Sequence, residues 1–189
     1  MENLKLFTSQ FAILTEKELS DLEALFQPMP IKKMDHILVS GNYVKDIYFF
    51  NEGIFRVYLL KEGEEFTTKF LYSPCMYAEL FSIRKIAPTF INIQALTVCD
   101  CYKANFKDLE KLLETSPNIR KLFVKLYEHI YITGVKRQTS FILDSQTKRY
   151  QNLVSEFPKI IEEIPLQYIA SFIGVKPETL SRIRKKNSE

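Results

Sequence analysis

The apolar residues of this chain change their period near Ser116, and that change decides what each part can fold into. From Ile31 to Leu113 they fall in short segments rich in β-branched and aromatic residues, punctuated by Gly41, Gly53, Gly63 and Pro74. Ile47-Tyr48-Phe49-Phe50, Ile54 to Leu60 and Phe66 to Leu71 read as three strands, joined by the turns Asn51-Glu52-Gly53 and Lys61-Glu62-Gly63-Glu64. Such strands pair antiparallel and close into a roll or jelly roll. From Ser116 onward, Ile119, Leu122, Phe123, Leu126, Tyr127, Ile130 and Tyr131 recur three and four apart, an apolar stripe on a long helix with Pro117 in its first turn. The stripe can pack on the β layer of its own chain, meet a symmetry mate as a coiled-coil-like seam, or do both.

Ahead of the strands, Thr15 and Glu18 form a T-x-x-E capping box with Leu14 and Leu19 at staple positions, opening a helix expected to run to about Phe26 before Pro28 and Pro30. Beyond the long helix, Asp144-Ser145-Gln146-Thr147 reads as a polar hinge. Tyr150, Leu153, Val154 and Phe157 then make a short amphipathic helix that ends before Pro158, where a small helical domain starts. The chain therefore divides into 1–115, a β-roll; 116–143, a long helix; and 144–189, a helical domain.

With 46% hydrophobic and 26% charged residues in 189, the chain can bury a core, and no apolar run reaches the length a bilayer requires. Met1 to Phe7 carries no export signal, so the expected location is the cytoplasm, with no membrane partner. Of the three cysteines, Cys99 and Cys101 lie too close for an ordinary structural bridge within one strand, and all three read as reduced thiols. A net charge of +3 is small, but from Lys176 onward five basic residues (Lys176, Arg182, Arg184, Lys185, Lys186) face two acidic ones (Glu178, Glu189). The tail is the candidate surface for an anionic partner.

That tail follows the most informative stretch. Ile164 to Val175 and Lys176 to Arg184 read as helix, turn, helix: Ala170 is small where two helices approach, Gly174 frees the turn, and Pro177 suits the first position of the second helix. Leu180 and Ile183 would face inward. Glu178, Ser181, Arg182 and Lys185 then share an outward face, with Thr179 and Lys186 beside it, carrying groups that read base edges or grip phosphates of double-stranded DNA. The plainer alternative is a tight helical hairpin whose basic end complements the helix dipole. The conjunction of small residue, glycine, proline, inward apolar pair and basic cluster, in that order, favours DNA.

The stretch from Thr147-Lys148-Arg149-Tyr150 through Pro158 and Ile164-Pro165 to Leu180-Ser181-Arg182-Ile183-Arg184 resembles the C-terminal part of Crp–Fnr transcription regulators, most of all their short Bacteroidetes-type members. Upstream, the strands with Gly41, Gly53 and Gly63, and Ala78-Glu79-Leu80 after them, are similar to that family's cyclic-nucleotide-binding-like roll. The resemblance implies an α+β fold: an antiparallel β-roll (double-stranded β-helix) with flanking helices, a long dimerisation helix, and a C-terminal helix-turn-helix. It implies base contacts for Glu178 and Arg182. Pro177 stands where the family has an arginine, and Lys176 stands where many members have a capping Ser or Thr, so Lys176 would serve a phosphate contact instead. The sequence stops at Glu189, which leaves no room for a full β wing.

Members that bind cyclic AMP combine a Gly-Glu-Leu segment with an Arg-Ser or Arg-Thr pair. Here Glu79 and Leu80 are in place, Ala78 replaces the glycine, and Thr89 and Phe90 occupy the positions of the arginine and the hydroxyl residue. The phosphate loses its main counter-charge, Arg84 and Lys85 would need re-aiming, and a buried Phe90 would fill the space. Cyclic AMP binding is therefore not expected. Glu79 also has a simpler reading, as the cap of a short helix. His36 and His129 lack the H-x-H spacing of a cupin metal site, and three cysteines do not match an iron–sulfur run, so no metal or other cofactor is expected. No nucleophile elbow, P-loop or dinucleotide fingerprint points to an enzyme. The leading expectation is a homodimeric DNA-binding regulator with an effector of unassigned identity in its roll. The competing one is a ligand-binding sensor whose helical tail makes protein–protein contacts.

Overall fold

The segments read as strands pair as two facing antiparallel sheets, and the computed structural model describes residues 1–158 and 160–187, apart from the side chains of Glu2 and Asn187. Two helices, α1 (Glu2–Ser9) and α2 (Glu16–Leu25), come first. The strands β1 (Gln27–Pro28), β2 (His36–Leu38), β3 (Asp46–Glu52), β4 (Ile54–Lys61), β5 (Glu64–Tyr72) and β6 (Cys75–Ala78) follow. A short helix α3 (Leu80–Lys85) precedes β7 (Ile91–Ala95) and β8 (Asp100–Asn105). The rest is helical: α4 (Phe106–Thr115), α5 (Pro117–Leu143), α6 (Gln146–Glu156), α7 (Ile160–Glu163), α8 (Leu166–Ile173) and α9 (Pro177–Asn187).

One sheet runs β1-β8-β3-β6 and the other β2-β7-β4-β5. Alternation along β3 explains why nearly every position in it is apolar. Tyr48 and Phe50 point into the roll, where Phe50 stacks on Phe55 of β4 with centroids 4.1 Å apart. Ile47 and Phe49 point the other way, into a second core with Leu4, Leu22, Leu109, Ile119, Leu122 and Leu126 from the flanking helices. The second sheet is covered in its turn, because Ile54 and Phe70 enter a third core built from α6 to α9. Both sheets are thus covered on their outer faces, one under α1, α2, α4 and the first half of α5, the other in part under the C-terminal helices, while the far end of the β4–β5 hairpin is exposed.

Thr15 caps α2 with the expected capping box, and the helix ends at Leu25. Pro117 sits in the first turn of α5, as the sequence suggested, and Ser116 caps that helix. Three features differ from expectation. The helix α1 is unforeseen, because Leu4 and Phe7 are too few to signal a period and gain their burial only from Phe49 and neighbouring residues. The apolar run assigned to strands up to Leu113 turns helical at Phe106, where Asn105 accepts a hydrogen bond from the Lys107 amide as the cap of α4. The hinge shrinks to Asp144 and Ser145, since the Ser145 hydroxyl caps α6 at Gln146. Ser188 and Glu189, part of the expected 144–189 division, lie outside the described residues. No helix among the described residues is long and apolar enough to cross a membrane.

Glu18 ties these helices together. Its carboxylate accepts from the Thr15 amide at 3.0 Å, the Ser116 hydroxyl at 2.6 Å and the Asn118 amide group at 3.1 Å. These donors, Ser116 foremost, lower its pKa from 4.5 to about 2. A folded-state pKa below the unfolded one stabilises the protein above pH 4.5, a contribution lost as the pH falls toward 2. Glu18→Gln should therefore flatten that limb of the thermal-unfolding midpoint against pH; an unchanged acid limb would show that the carboxylate contributes nothing.

Candidate nucleic-acid interface

The turn between α8 and α9 is built as its sequence requires. Gly174 adopts the left-handed conformation at φ 73° and ψ 42°, the Val175 amide bonds back to the Ala170 carbonyl at 3.0 Å, and the Gly174 amide to Ser171 at 3.2 Å. A Cβ at position 174 would lie 2.9 Å from the Phe141 ring of α5, so glycine is required for space as well as for φ. Ala170 is fully buried where α8 meets its neighbours, and Leu180 and Ile183 of α9 face the same core.

The remaining face of α9 is open. Lys176, Glu178, Ser181, Arg182, Lys185 and Lys186 are exposed, and Thr179 is half-buried among them. Two of these groups are already oriented. Arg182 donates to the Thr179 hydroxyl at 3.3 Å, and the Ser181 hydroxyl donates back to the Pro177 carbonyl at 3.1 Å. The Lys176 carbonyl accepts from the Thr179 and Leu180 amides, so the main chain of Lys176 opens the helix without a side-chain cap.

Neither end of α8 is free to turn. Along its length it lies on the edge strand β5, where the Thr67 amide donates to the Ser171 hydroxyl at 2.8 Å and that hydroxyl donates to the Glu65 carbonyl at 2.9 Å. Ser171 thereby occupies two groups of the sheet edge. Phe70 packs on Phe172 at 5.0 Å, and Tyr72 stacks on Phe157 at 4.3 Å. Beneath α8, Arg56 of β4 is only 2% exposed. Its guanidinium donates to Gln94 Oε1 at 2.7 and 2.9 Å, and Nη1 lies 2.6 Å from Glu65 Oε2 as an ion pair. The guanidinium carbon lies over the Tyr58 ring at 4.1 Å and over the Tyr168 ring of α8 at 3.7 Å.

At the C-terminal end of α8, two guanidiniums meet the last carbonyls. Arg137 of α5 donates to Phe172 at 2.9 Å and Arg149 of α6 donates to Ile173 at 2.8 Å, which suits the negative end of a helix dipole. Arg137 also stacks on Phe172 at 3.6 Å. Burial, with repulsion from Arg149, lowers its pKa to about 10, which leaves it charged at neutral pH.

The positions expected to line an effector pocket are brought near one another but are otherwise engaged. Ala78 ends β6, paired with Ile47, and Leu80 opens α3. Glu79 spends both carboxylate oxygens on the Phe81 and Ser82 amides, at 3.2 and 2.8 Å, as the cap of α3. Thr89 is buried, its backbone bonded to Gly41 and Asn42 at 2.8 Å. Phe90 is not buried, contrary to expectation. With Thr89 turned inward, alternation turns Phe90 out, 53% exposed and edge-on to Phe81 at 5.1 Å. Arg84 pairs with Glu110 of α4 and lies over the Phe106 ring. A cleft of about 390 Å³ opens elsewhere, between Lys33, Met34 and Leu96 of the roll and Glu162, Leu166 and Arg184 of the helical unit. His36 and His129 are both exposed, His36 bonded to the Tyr58 hydroxyl at 2.8 Å and His129 edge-on to Phe11.

Sequence reasoning missed Arg56, Arg137, Tyr168 and Ser171. For Arg56 a signal existed, a single charge inside the apolar run Ile54-Phe55-Arg56-Val57-Tyr58. The other three make contacts that no local pattern encodes.

No protein-family model matches the chain, and no curated protein matches it. Solved structures do. The chain is similar to the c-di-GMP responsive global regulator CLP of Xanthomonas campestris, with 15% identity, a TM-score of 0.73 and 92% of each chain covered. It is similar to FixK2 from Bradyrhizobium japonicum, with 16% identity, a TM-score of 0.70, and 85% of this chain and 83% of that one covered. A protein from Eubacterium rectale described as a transcriptional regulator of the crp/fnr family matches with 17% identity and a TM-score of 0.68, over 92% of this chain and 83% of that one. The chain shares the fold of these proteins.

The turn gives a direct test. Gly174→Ala should destabilise the protein by about 1–2 kcal/mol from the left-handed backbone, with more from the Phe141 contact. A denaturant midpoint equal to that of the parent chain would contradict the geometry described for residues 173–175.

Proposed function

We propose that this chain is a DNA-binding transcription regulator of the Crp–Fnr type that acts as a homodimer. The observation that carries the reading is α9. It is a helix held by its apolar face to a firmly docked α8, presenting Arg182, Ser181, Lys185 and Lys186 together to solvent. The fold shared with transcriptional regulators supports the same reading. Arg182 and Glu178 read base edges in the major groove, while Lys176, Lys185 and Lys186 hold phosphates. Thr179 steadies Arg182 for that task.

The second half of α5 supports the dimer. Ile119, Leu122, Phe123 and Leu126 are used up in the core of their own chain. Val124, Tyr131, Val135 and Ile142 are instead 51%, 73%, 42% and 82% exposed. They fall on a seam of alternating fours and threes completed by Glu128 and Gln138, which is heptad spacing. Two copies paired along this seam present two α9 helices to successive major grooves, about 34 Å apart. The roll does not take cyclic AMP in this reading, because Glu79 is committed to α3 and Arg84 to Glu110. A different effector acts by changing how the C-terminal helices sit on the roll. The protein works in the cytoplasm without catalysing a reaction.

Two measurements test this. In gel shifts across a salt series, Arg182→Ala should relax sequence preference, whereas Lys185→Ala should weaken binding to all sequences and reduce the salt slope by about 1. Equal losses on every sequence for both variants would remove the base-reading role of Arg182. In sedimentation, a Tyr131→Glu, Val135→Glu double variant should run as a monomer that keeps its fold by circular dichroism; an intact dimer would place the interface elsewhere.

A further inference from the structure

Cys99 lies in the Leu96–Cys99 loop, just before β8 and outside any strand. The loop and the β3–β4 turn wrap its sulfur closely. A Cβ on Gly53 would come within 2.5 Å of Cys99 Sγ, so this turn has room for the thiol only because residue 53 has no side chain. The Cys99 thiol donates to the Thr97 carbonyl at 3.1 Å, and the Thr97 hydroxyl stands 3.9 Å from the sulfur. The Ile54 amide, which bonds to that hydroxyl at 2.9 Å, stands beside them. The neighbouring thiol is Cys101, first inward-facing residue of β8 and 1% exposed. Hydrogen bonding from Cys101 foremost lowers the Cys99 pKa to about 7, while the Cys101 pKa is raised. Cys75 lacks such a setting, and burial pushes its thiol up to about 12.

The strand paired with the start of β8 is irregular there. Between Phe50, paired with Cys101, and Glu52, paired with Asp100, β3 carries one extra residue, Asn51, so the regular ladder is interrupted beside the two cysteines. Residues two apart in a fully extended chain lie near the upper limit of disulfide reach, roughly 7 Å between Cα atoms, so closing the bridge requires the chain to bend at Asp100.

We propose that Cys99 and Cys101 form a reversible disulfide when the protein meets hydrogen peroxide, and that this bond loosens the seat of the C-terminal helices on the roll. The Cys99 thiolate attacks one peroxide oxygen and the O–O bond breaks. Hydroxide leaves and takes a proton to become water, and Cys99 holds a sulfenic acid. The Cys101 sulfur, giving up its proton, then attacks the Cys99 sulfur. The S–S bond forms, the S–O bond breaks, and the departing hydroxide takes that proton as a second water. Two thiols and one peroxide thus give one disulfide and two waters. A thiol reductant reverses the bond by exchange.

The consequence travels through Ile54 and Leu96. The Leu96 amide bonds to the Ile54 carbonyl at 2.8 Å, and both side chains are buried in the core that α6 to α9 share with the roll. Drawing Cys99 toward Cys101 pulls on the loop that holds Leu96 in that core.

The full chain, treated with hydrogen peroxide and then alkylated after denaturation, tests both steps. Cys99 and Cys101 should lose alkylation together, with their common peptide lighter by two hydrogens, while Cys75 stays alkylated and reductant restores both thiols. Amide hydrogen exchange across β5 and α8, including Thr67, should accelerate severalfold on oxidation, and Cys99→Ser should abolish that change. Cys101→Ser should leave a sulfenic acid at Cys99 that dimedone traps. Oxidation of Cys99 to sulfinic acid with Cys101 still alkylated, or no reaction at Cys99, would overturn the bridge. A formed bridge with unchanged exchange at Thr67 would overturn the coupling. Neither readout uses DNA, so both stand apart from the proposed function.

Discussion

Arg56 is a charge on the outer face of the second sheet, and the placing of the C-terminal helices follows from how that charge is covered. The sheet supplies Gln94 and Glu65 as its polar partners, and the guanidinium lies over the Tyr58 ring. Tyr168 adds a second aromatic ring against the guanidinium when α8 lies along β5. Ser171, one turn further along α8, then meets the backbone of Glu65 and Thr67. With the length of α8 fixed in this way and its C-terminal carbonyls held by Arg137 and Arg149, the turn at Gly174 directs α9 outward.

This interface mixes two kinds of contact with different responses to water. Phe70, Phe172, Tyr72 and Phe157 lose favourable burial when they separate. Arg56 and Ser171 exchange protein partners for water at much smaller net cost. A seat made of both holds a defined orientation yet can open, as the proposed control by an effector requires. The Leu96 loop and the cleft beside Arg184 both border that seat, so influences from the roll have a short path to α9.

Features fixed by neighbouring residues were legible in the sequence. The capping box at Thr15, Pro117 in the first turn of α5, the strands around Gly53 and the Gly174 turn each depend on local chemistry. The exposed face of α9 was legible too, since Leu180 and Ile183 fix which side is inward. Contacts between distant segments were not. The apolar stripe of α5 left its partner open, and its first half turned out to serve the core of its own chain while Val124, Tyr131, Val135 and Ile142 stayed outside. Phe90 was misplaced because the pairing of Thr89 with Asn42, which sets its direction, joins segments far apart in the chain. Arg56 read as an exception in an apolar strand, and its meaning emerged only with Tyr168 stacked upon it.

The central claim is that two copies of α9 read DNA from one face of the duplex. Hydroxyl-radical footprinting of the purified protein on DNA from its own promoter region tests it most directly. The account predicts two protected patches on the same face, separated by about one helical turn of 10–10.5 base pairs. Absence of protection even at low salt, or a single patch from a protein that sediments as a dimer, would contradict it.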